Sequence, residues 1–519
     1  MSSQLLQTKS IDKLISESEQ PEHRLRKTLG PWSLTALGIG AIIGSGIFVL
    51  TGTAAAGQQF VGHSILNAQM MDLVFSLLRH GHISAAALGG RPAAGPAIAV
   101  SFILVAVACS FAGLCYAELA SMIPIAGSAY TYSYATLGEI FAWIIGWDLI
   151  LEYAVSNVAV AVGFSGYFND FLRLFGWAIP DRWAEPVISG GHWSGAYFNL
   201  PGFLIVVVLT VLLVRGIRES AETNNIMVAI KIGAILVFIT AGSLLIHPSN
   251  WHPFAPNGFP GILTGGAIVF FTYIGFDSVS TAAEESRNPQ RDMPIGIIAS
   301  LVVCTILYVS VAIVLLGMMK YTAFASGQAA DAPVAYALRV LHASHFVYVM
   351  VVTGALMGMI SSLLVFQYGQ TRIWFAMSRD GLLPPIFSAV HKKYKTPHWS
   401  SWIACFAVAL PAGIIDIGTA ADLSNIGTLF AFILVSIGVI VLRRTQPDRP
   451  RGFRVPFSPW FPIISVIMCL LLMMGLLVVT WLRFIVWLIL GLGIYWFYSR
   501  KHSEFHVPVA SALENSPRH

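Results

Sequence analysis

Apolar positions in this chain come in long, nearly unbroken runs separated by short polar stretches, with little of the two- or three-to-four-residue alternation of a soluble fold. A run of about 20 apolar residues is long enough to cross a bilayer as a helix. About twelve such runs lie near residues 32–53, 97–121, 141–164, 202–217, 224–246, 264–283, 295–318, 346–369, 399–415, 422–442, 460–479 and 481–499. Hydrocarbon offers backbone polar groups no partner, so each run should be a regular helix. Two runs break that rule. The first carries Gly44-Ser45-Gly46 near its middle, and the sixth carries Gly275-Phe276-Asp277-Ser278 at a matching depth. Glycine in a helix interior costs about 1 kcal/mol against alanine, so both places are expected to unwind. Five runs followed by five, each group opening on an interrupted helix, predict an inverted repeat whose two breaks meet. Close helix packing on small residues is the alternative use of the same glycines.

An unwound point leaves free N–H groups at the start of the next half-helix, where the dipole is positive. The first break is therefore a candidate carboxylate receptor made of backbone. The longest piece outside the runs, residues 57–96, holds an amphipathic stretch over 65–79 and reads as a surface helix plus loop.

Composition agrees with the pattern. Of the 519 residues, 56% are hydrophobic and 11% charged, against about 25% charged in soluble domains. The net charge of +5 does not point to nucleic acid, because the basic residues lie in loops beside the runs. Of the 30 lysines and arginines, 22 fall on the side of the termini, 7 on the other, and Lys231 lies within a run. The positive-inside rule then puts both termini in the cytoplasm. The five cysteines all lie within apolar runs, and no metal-ligand spacing, phosphate loop or nucleophile–base pair is present. No metal, cofactor or enzymatic activity is expected. The polar start of the chain predicts no cleaved signal peptide.

Several longer motifs, in order, carry a family resemblance. They are Gly44-Ser45-Gly46-Ile47-Phe48, the stretch from Cys115-Tyr116-Ala117-Glu118 to Gly127-Ser128-Ala129-Tyr130, Phe270 to Asp277, Glu284-Glu285-Ser286-Arg287-Asn288-Pro289, and Phe375-Ala376-Met377-Ser378-Arg379-Asp380-Gly381. Together they resemble the cationic amino acid transporters of the amino acid–polyamine–organocation superfamily. The resemblance runs from about Leu29 to the last run, and residues 57–96 are its departure. It implies an all-α polytopic membrane protein with the leucine-transporter-like fold. That fold would be a 5+5 inverted repeat over about 30–246 and 260–442, with extra helices over 460–499. The membrane domain would cover 30–499, with an extracellular insertion at 57–96 and cytoplasmic tails at 1–29 and 500–519.

The resemblance implies function too: a secondary permease for L-amino acids, cationic or small neutral, in the inner or plasma membrane, working by alternating access with protons. An exchanger without net proton coupling and an amino acid-binding sensor are the alternatives. The substrate carboxylate would rest on N–H groups at Gly44, Ser45 and Gly46. The ammonium would sit among the carbonyls of Ile42, Ile43, Phe271, Thr272 and Ile274, with Phe271 as an aromatic gate. Charges inside a membrane are costly and usually functional. Lys231 lies about 10 Å into the fifth run at 1.5 Å per residue, where the resemblance implies a tethered cation in place of sodium. Snorkelling to the surface is its other reading. Glu152 and Asp277 are expected at the side-chain end of the pocket or on a proton path, with structural hydrogen bonding as the plainer role. Asp148 lies one turn before Glu152 on the same face. Glu118 is expected to pair with a loop arginine.

Overall fold

In the computed structural model, residues 5–12, 15, 27, 29–58, 64–83, 88–125, 127–215, 221–325, 327–391, 393–394 and 396–504 are described. Most of the two predicted tails, 1–29 and 500–519, lies outside these residues. The described residues are mostly helical, and among them one small sheet pairs β1 (Ile188–Ser189) with β2 (His192–Trp193). Among the described residues, eight helices are long and apolar enough to span a membrane, and one bent pair adds a ninth. Three shorter apolar helices occupy the remaining predicted runs. The protein is a multi-pass membrane protein.

The first run is the bent pair. Pro31, free of any need to donate, opens α1 (Pro31–Ile42) behind Gly30. The helix stops at Ile43, resumes as one wide π-type turn (Gly46–Leu50), and ends as α2 (Thr51–Ala56), the two arms bent by 42°. After α3 (Met70–His80), α4 (Ile98–Met122) runs back. A short α5 (Ser128–Thr136) turns the chain into the 35-residue α6 (Glu139–Arg173). Next come α7 (Leu200–Val214) and α8 (Ala221–Ser243). The sixth run begins as α9 (Gly258–Val269), tightens to a 3₁₀ turn (Phe270–Tyr273), breaks at Ile274–Gly275 and continues as a 3₁₀ helix (Phe276–Glu285). The rest is α10 (Pro289–Met318), α11 (Pro333–Val340), α12 (His345–Arg379), α13 (His398–Ile414), α14 (Ile417–Thr445), α15 (Trp460–Met474) and α16 (Val478–Ile494).

The tightening after Gly275 has a local cause. The hydroxyls of Ser278, Ser280 and Thr281 each donate to the carbonyl three residues earlier, and Asp277 Oδ1 accepts from Gly275 N–H at 3.2 Å. Side chains that bond back to their own backbone compete with the α ladder.

The core packs α4 on α10, and α6 between α12 and α14. The described ends of both tails meet on one face, where Lys9 Nζ pairs with Asp380 at 2.8 Å and Glu504 at 3.1 Å. On that face the expected partner of Glu118 is found. Its carboxylate takes Arg443 Nη2 at 2.5 Å and Arg451 Nε at 3.2 Å, and accepts Val455 N–H at 2.7 Å.

On the opposite face the 57–96 segment is anchored. Gln69 Nε2 donates to Thr264 Oγ1 on α9 at 2.8 Å and to the Gly475 carbonyl at 3.1 Å. Arg91 forms a buried ion pair with Asp422 of α14. Removing one partner of a buried pair strands the other charge, at a cost of about 3–5 kcal/mol. Arg91→Ala should therefore lower the thermal unfolding temperature clearly. Arg449→Ala, whose partner Asp12 is 81% exposed, should cost less than about 1 kcal/mol. Equal shifts in a melting assay would show that the segment is not held by this pair.

Candidate functional site

The two breaks press against each other. A Cβ on Gly46 would lie 2.8 Å from Thr272 Cγ2 and 2.9 Å from Thr272 Cα. A Cβ on Gly275 would lie 2.8 Å from the Ala41 carbonyl carbon, and Gly275 also has φ +122°. Only glycine tolerates that backbone and that approach. Two unwound points are thus joined into one polar spot inside an apolar bundle.

Donors gather at the first break. The backbone N–H groups of Ser45 and Gly46 make no hydrogen bond among the described residues. Ser45 is fully buried, and its Oγ has no partner either. Buried groups of this kind are rare without a ligand or water to satisfy them. Acceptors lie alongside. The Ile42 carbonyl accepts from Tyr308 OH at 3.0 Å, and the Ile43 carbonyl from Ser362 Oγ at 3.2 Å. On the second break, the Phe271 carbonyl accepts from Ile274 N–H at 3.3 Å, and Thr272 Oγ1 donates to the Val269 carbonyl at 2.7 Å. The Ile42 carbonyl also accepts from Gly44 N–H at 3.0 Å, which uses both its lone pairs; the Ile43 and Phe271 carbonyls each have a second lone pair. Phe271 and Ile274 are both buried beside the break. An arrangement of free donors at a half-helix start and carbonyls next to it can hold a small zwitterion with no charged side chain.

Lys231 is fully buried, and its Nζ donates to the Gly40 carbonyl at 2.6 Å. Its stem lies against Gly358, 3.5 Å from where a Cβ would be. The lysine does not snorkel; it ties α8 to the last turn of α1, just below Gly44. Asp277, Glu152 and Asp148 are all buried. Glu152 is close enough to Asp277 and Asp148 to feel both charges, and Thr428 lies beside it with its hydroxyl donated to the Ser424 carbonyl at 2.9 Å. Glu152 Oε1 and both oxygens of Asp148 have no partner among the described residues. Asp277 is better satisfied, through the Gly275 N–H.

Sequence reasoning missed Tyr308 and Ser362, which hold the carbonyls at the end of α1, and Thr428. A hydroxyl in an apolar run was the only signal, and it is too common to single these three out. It also placed Asp148 beside Glu152 without marking it as a carboxyl left unpartnered.

Comparison with known proteins shows the family. The family model for amino acid permeases matches residues 29–495. The branched-chain amino acid permease of Bacillus subtilis (strain 168) is 45% identical over 508 residues, covering 98% of this chain and 100% of that protein. The methylthioribose transporter of the same organism is 44% identical, covering 96% of this chain and 99% of its own. The chloroplastic cationic amino acid transporter 9 of Arabidopsis thaliana is 35% identical, covering 83% and 69%.

Proposed function

This chain belongs to the amino acid permease family, and on that premise we propose that it is a secondary active transporter of L-amino acids, cationic or small neutral. It is a transporter rather than an enzyme. The observation that carries the substrate reading is the Ser45 hydroxyl, buried without a partner beside the free N–H groups of Ser45 and Gly46. The substrate carboxylate takes the donors at Ser45 and Gly46; the Gly44 N–H, also expected to serve, is already given to the Ile42 carbonyl at 3.0 Å. Its ammonium takes the carbonyls of Ile43, Phe271, Thr272 and Ile274, the Ile42 carbonyl being already filled. Phe271 closes over it. Two relatives matched over nearly their whole length differ in cargo, one named for branched-chain amino acids and one for methylthioribose, which has neither carboxylate nor ammonium; for an amino acid, side-chain specificity lies beyond the breaks, toward Glu152 and Asp277.

The transport cycle is alternating access between inverted repeats, with the face that bears the tails in the cytoplasm of a cell with this protein in its plasma membrane. Lys231 is the coupling group. Charged, it holds α8 against the Gly40 carbonyl; neutral, it loosens that tie and lets the helices rock. Glu152 and Asp277 carry the proton to or from it. Uptake of a panel of radiolabelled amino acids into proteoliposomes tests the reading. Saturable uptake of at least one L-amino acid is expected, and no uptake of any would overturn it.

Asp277→Asn sharpens the side-chain question. A carboxylate in a dry site attracts a cationic side chain strongly. The substitution should raise KM for arginine and lysine by tenfold or more while moving alanine by less than about threefold. Equal losses for all three would mark Asp277 as a backbone cap alone, consistent with its bond to Gly275.

A further inference from the structure

The helix α3, in the 57–96 segment, faces the wrong way for a loop in water. At 3.6 residues per turn, Asp72 and Ser76 fall on one side of it, and Val74, Leu77 and Leu78 on the other, with Phe75 at the edge. A surface helix of a soluble body turns its apolar stripe inward and its polar side out. Here Ser76 is buried, its Oγ donating to the His82 carbonyl at 3.0 Å, and Asp72 is half-buried. Leu78 is 77% exposed and Phe75 53%, with Val74 and Leu77 exposed beside them. Met71 and Leu73 are buried and pin the helix to the body. Ile65 and Leu66, in the 3₁₀ turn Ile65–Asn67 that packs on α16, are exposed as well.

The attachment of this segment says what covers that face. Met70 N–H donates to the Leu476 carbonyl at 3.1 Å, and Val478 N–H to the Ala68 carbonyl at 2.9 Å. Leu476 and Val478 lie where α15 turns into α16, on the face away from the tails. Among the described residues, the span that contains α16 is the least buried of the eight long apolar helices. Leu482, Ile485 and Ile489 are exposed along it, as residues that face lipid. Trp481 lies less than one turn into α16, and tryptophan gathers at the boundary of lipid and water. The segment is thus stitched to the upper rim of a lipid-facing wall. At 11 residues α3 is about 16 Å long, half of what a span needs.

We infer that α3 is an interfacial helix whose partner is the bilayer itself. Val74, Phe75, Leu77 and Leu78 sit at the boundary of headgroups and acyl chains, in the leaflet on the face away from the tails. Arg79 is exposed next to Leu78. Its stem lies along the apolar surface while its guanidinium meets lipid phosphate. An amphipathic helix with its apolar face outward and a basic residue at the edge binds a membrane surface in this way. Through Gln69, bonded to Thr264, the same seat holds α9. The inference stands on the membrane fold and goes beyond the permease reading.

Spin labelling tests it. All five cysteines are buried, so an added surface cysteine takes a nitroxide selectively. Leu78→Cys and Phe75→Cys are each labelled on the full chain in phospholipid nanodiscs. Paramagnetic resonance then reads collisions with oxygen, which concentrates in lipid, and with a water-soluble nickel chelate. Ser189→Cys on exposed β1 is the aqueous reference, and Ile489→Cys on α16 the lipid reference. At Leu78→Cys the oxygen-to-nickel ratio should exceed that at Ser189→Cys at least threefold, toward the value at Ile489→Cys. Phe75→Cys should agree with it, and decides the matter if Leu78→Cys does not fold. A ratio within threefold of Ser189→Cys would place α3 in water. Protection from both reagents would place protein, such as a second copy of this chain, over the face. Either result overturns the inference.

Discussion

Gly46→Leu is expected to abolish substrate binding at the breaks while the protein still inserts. Leucine suits a bilayer, so insertion is not the obstacle. At the break there is no room: even a Cβ would lie 2.8–3.1 Å from Thr272, including its Cα, which cannot rotate away. A full side chain must push the two breaks apart, cover the N–H groups of Ser45 and Gly46, and favour a continuous helix. Overpacking of this kind costs about 1–3 kcal/mol or more, and a 3 kcal/mol loss is more than a hundredfold in affinity. Gly233→Leu on α8 is the matched control, because nothing lies within 4 Å of that position. Scintillation-proximity binding on both variants, with melting temperatures to show that each is folded, checks the result. Unimpaired binding in folded Gly46→Leu would refute a receptor made of backbone.

Loss of Lys231 should have the second large effect, on coupling rather than on binding. The ammonium is bonded to the Gly40 carbonyl and its stem packs on Gly358. Lys231→Met keeps the stem and removes the charge; Lys231→Ala removes both. A hydrogen bond to a charged group contributes about 1.5–3 kcal/mol, so the tie between α8 and α1 weakens in each. Both variants should keep substrate exchange across the membrane and lose accumulation driven by a pH gradient, at least tenfold. Lys231→Ala should also melt lower than Lys231→Met. If both variants respond to pH like wild type, Lys231 only fills space and satisfies a carbonyl.

The breaks were legible because glycine and serine in the middle of an apolar run conflict with the demand for a regular helix. Gly44 to Gly46 and Gly275 stand out for that reason, and the structure unwinds at 43–45 and 274–275. Lys231 was legible as a charge out of place, though not its partner. Span lengths were less so. Hydropathy marks only the part of a helix that lies in lipid, so α6 and α12 were read as 141–164 and 346–369 but each runs 35 residues. The 3₁₀ form after Gly275 depends on hydroxyls at Ser278, Ser280 and Thr281 bonding backward, which no periodicity reports. The anchoring of the 57–96 segment was also hidden. Arg91 and Asp422 are 331 positions apart, and neither carries a local signal for the other.

Proton-driven transport by a tethered lysine is the central claim, and the direct measurement is wild-type uptake into sodium-free proteoliposomes with an imposed inward proton gradient. The gradient should drive the best-carried L-amino acid above its outside concentration, an uncoupler should collapse that accumulation, and added sodium should change nothing, because on the proposed reading Lys231 stands in for a sodium ion. Accumulation that requires sodium and ignores the proton gradient would contradict the account.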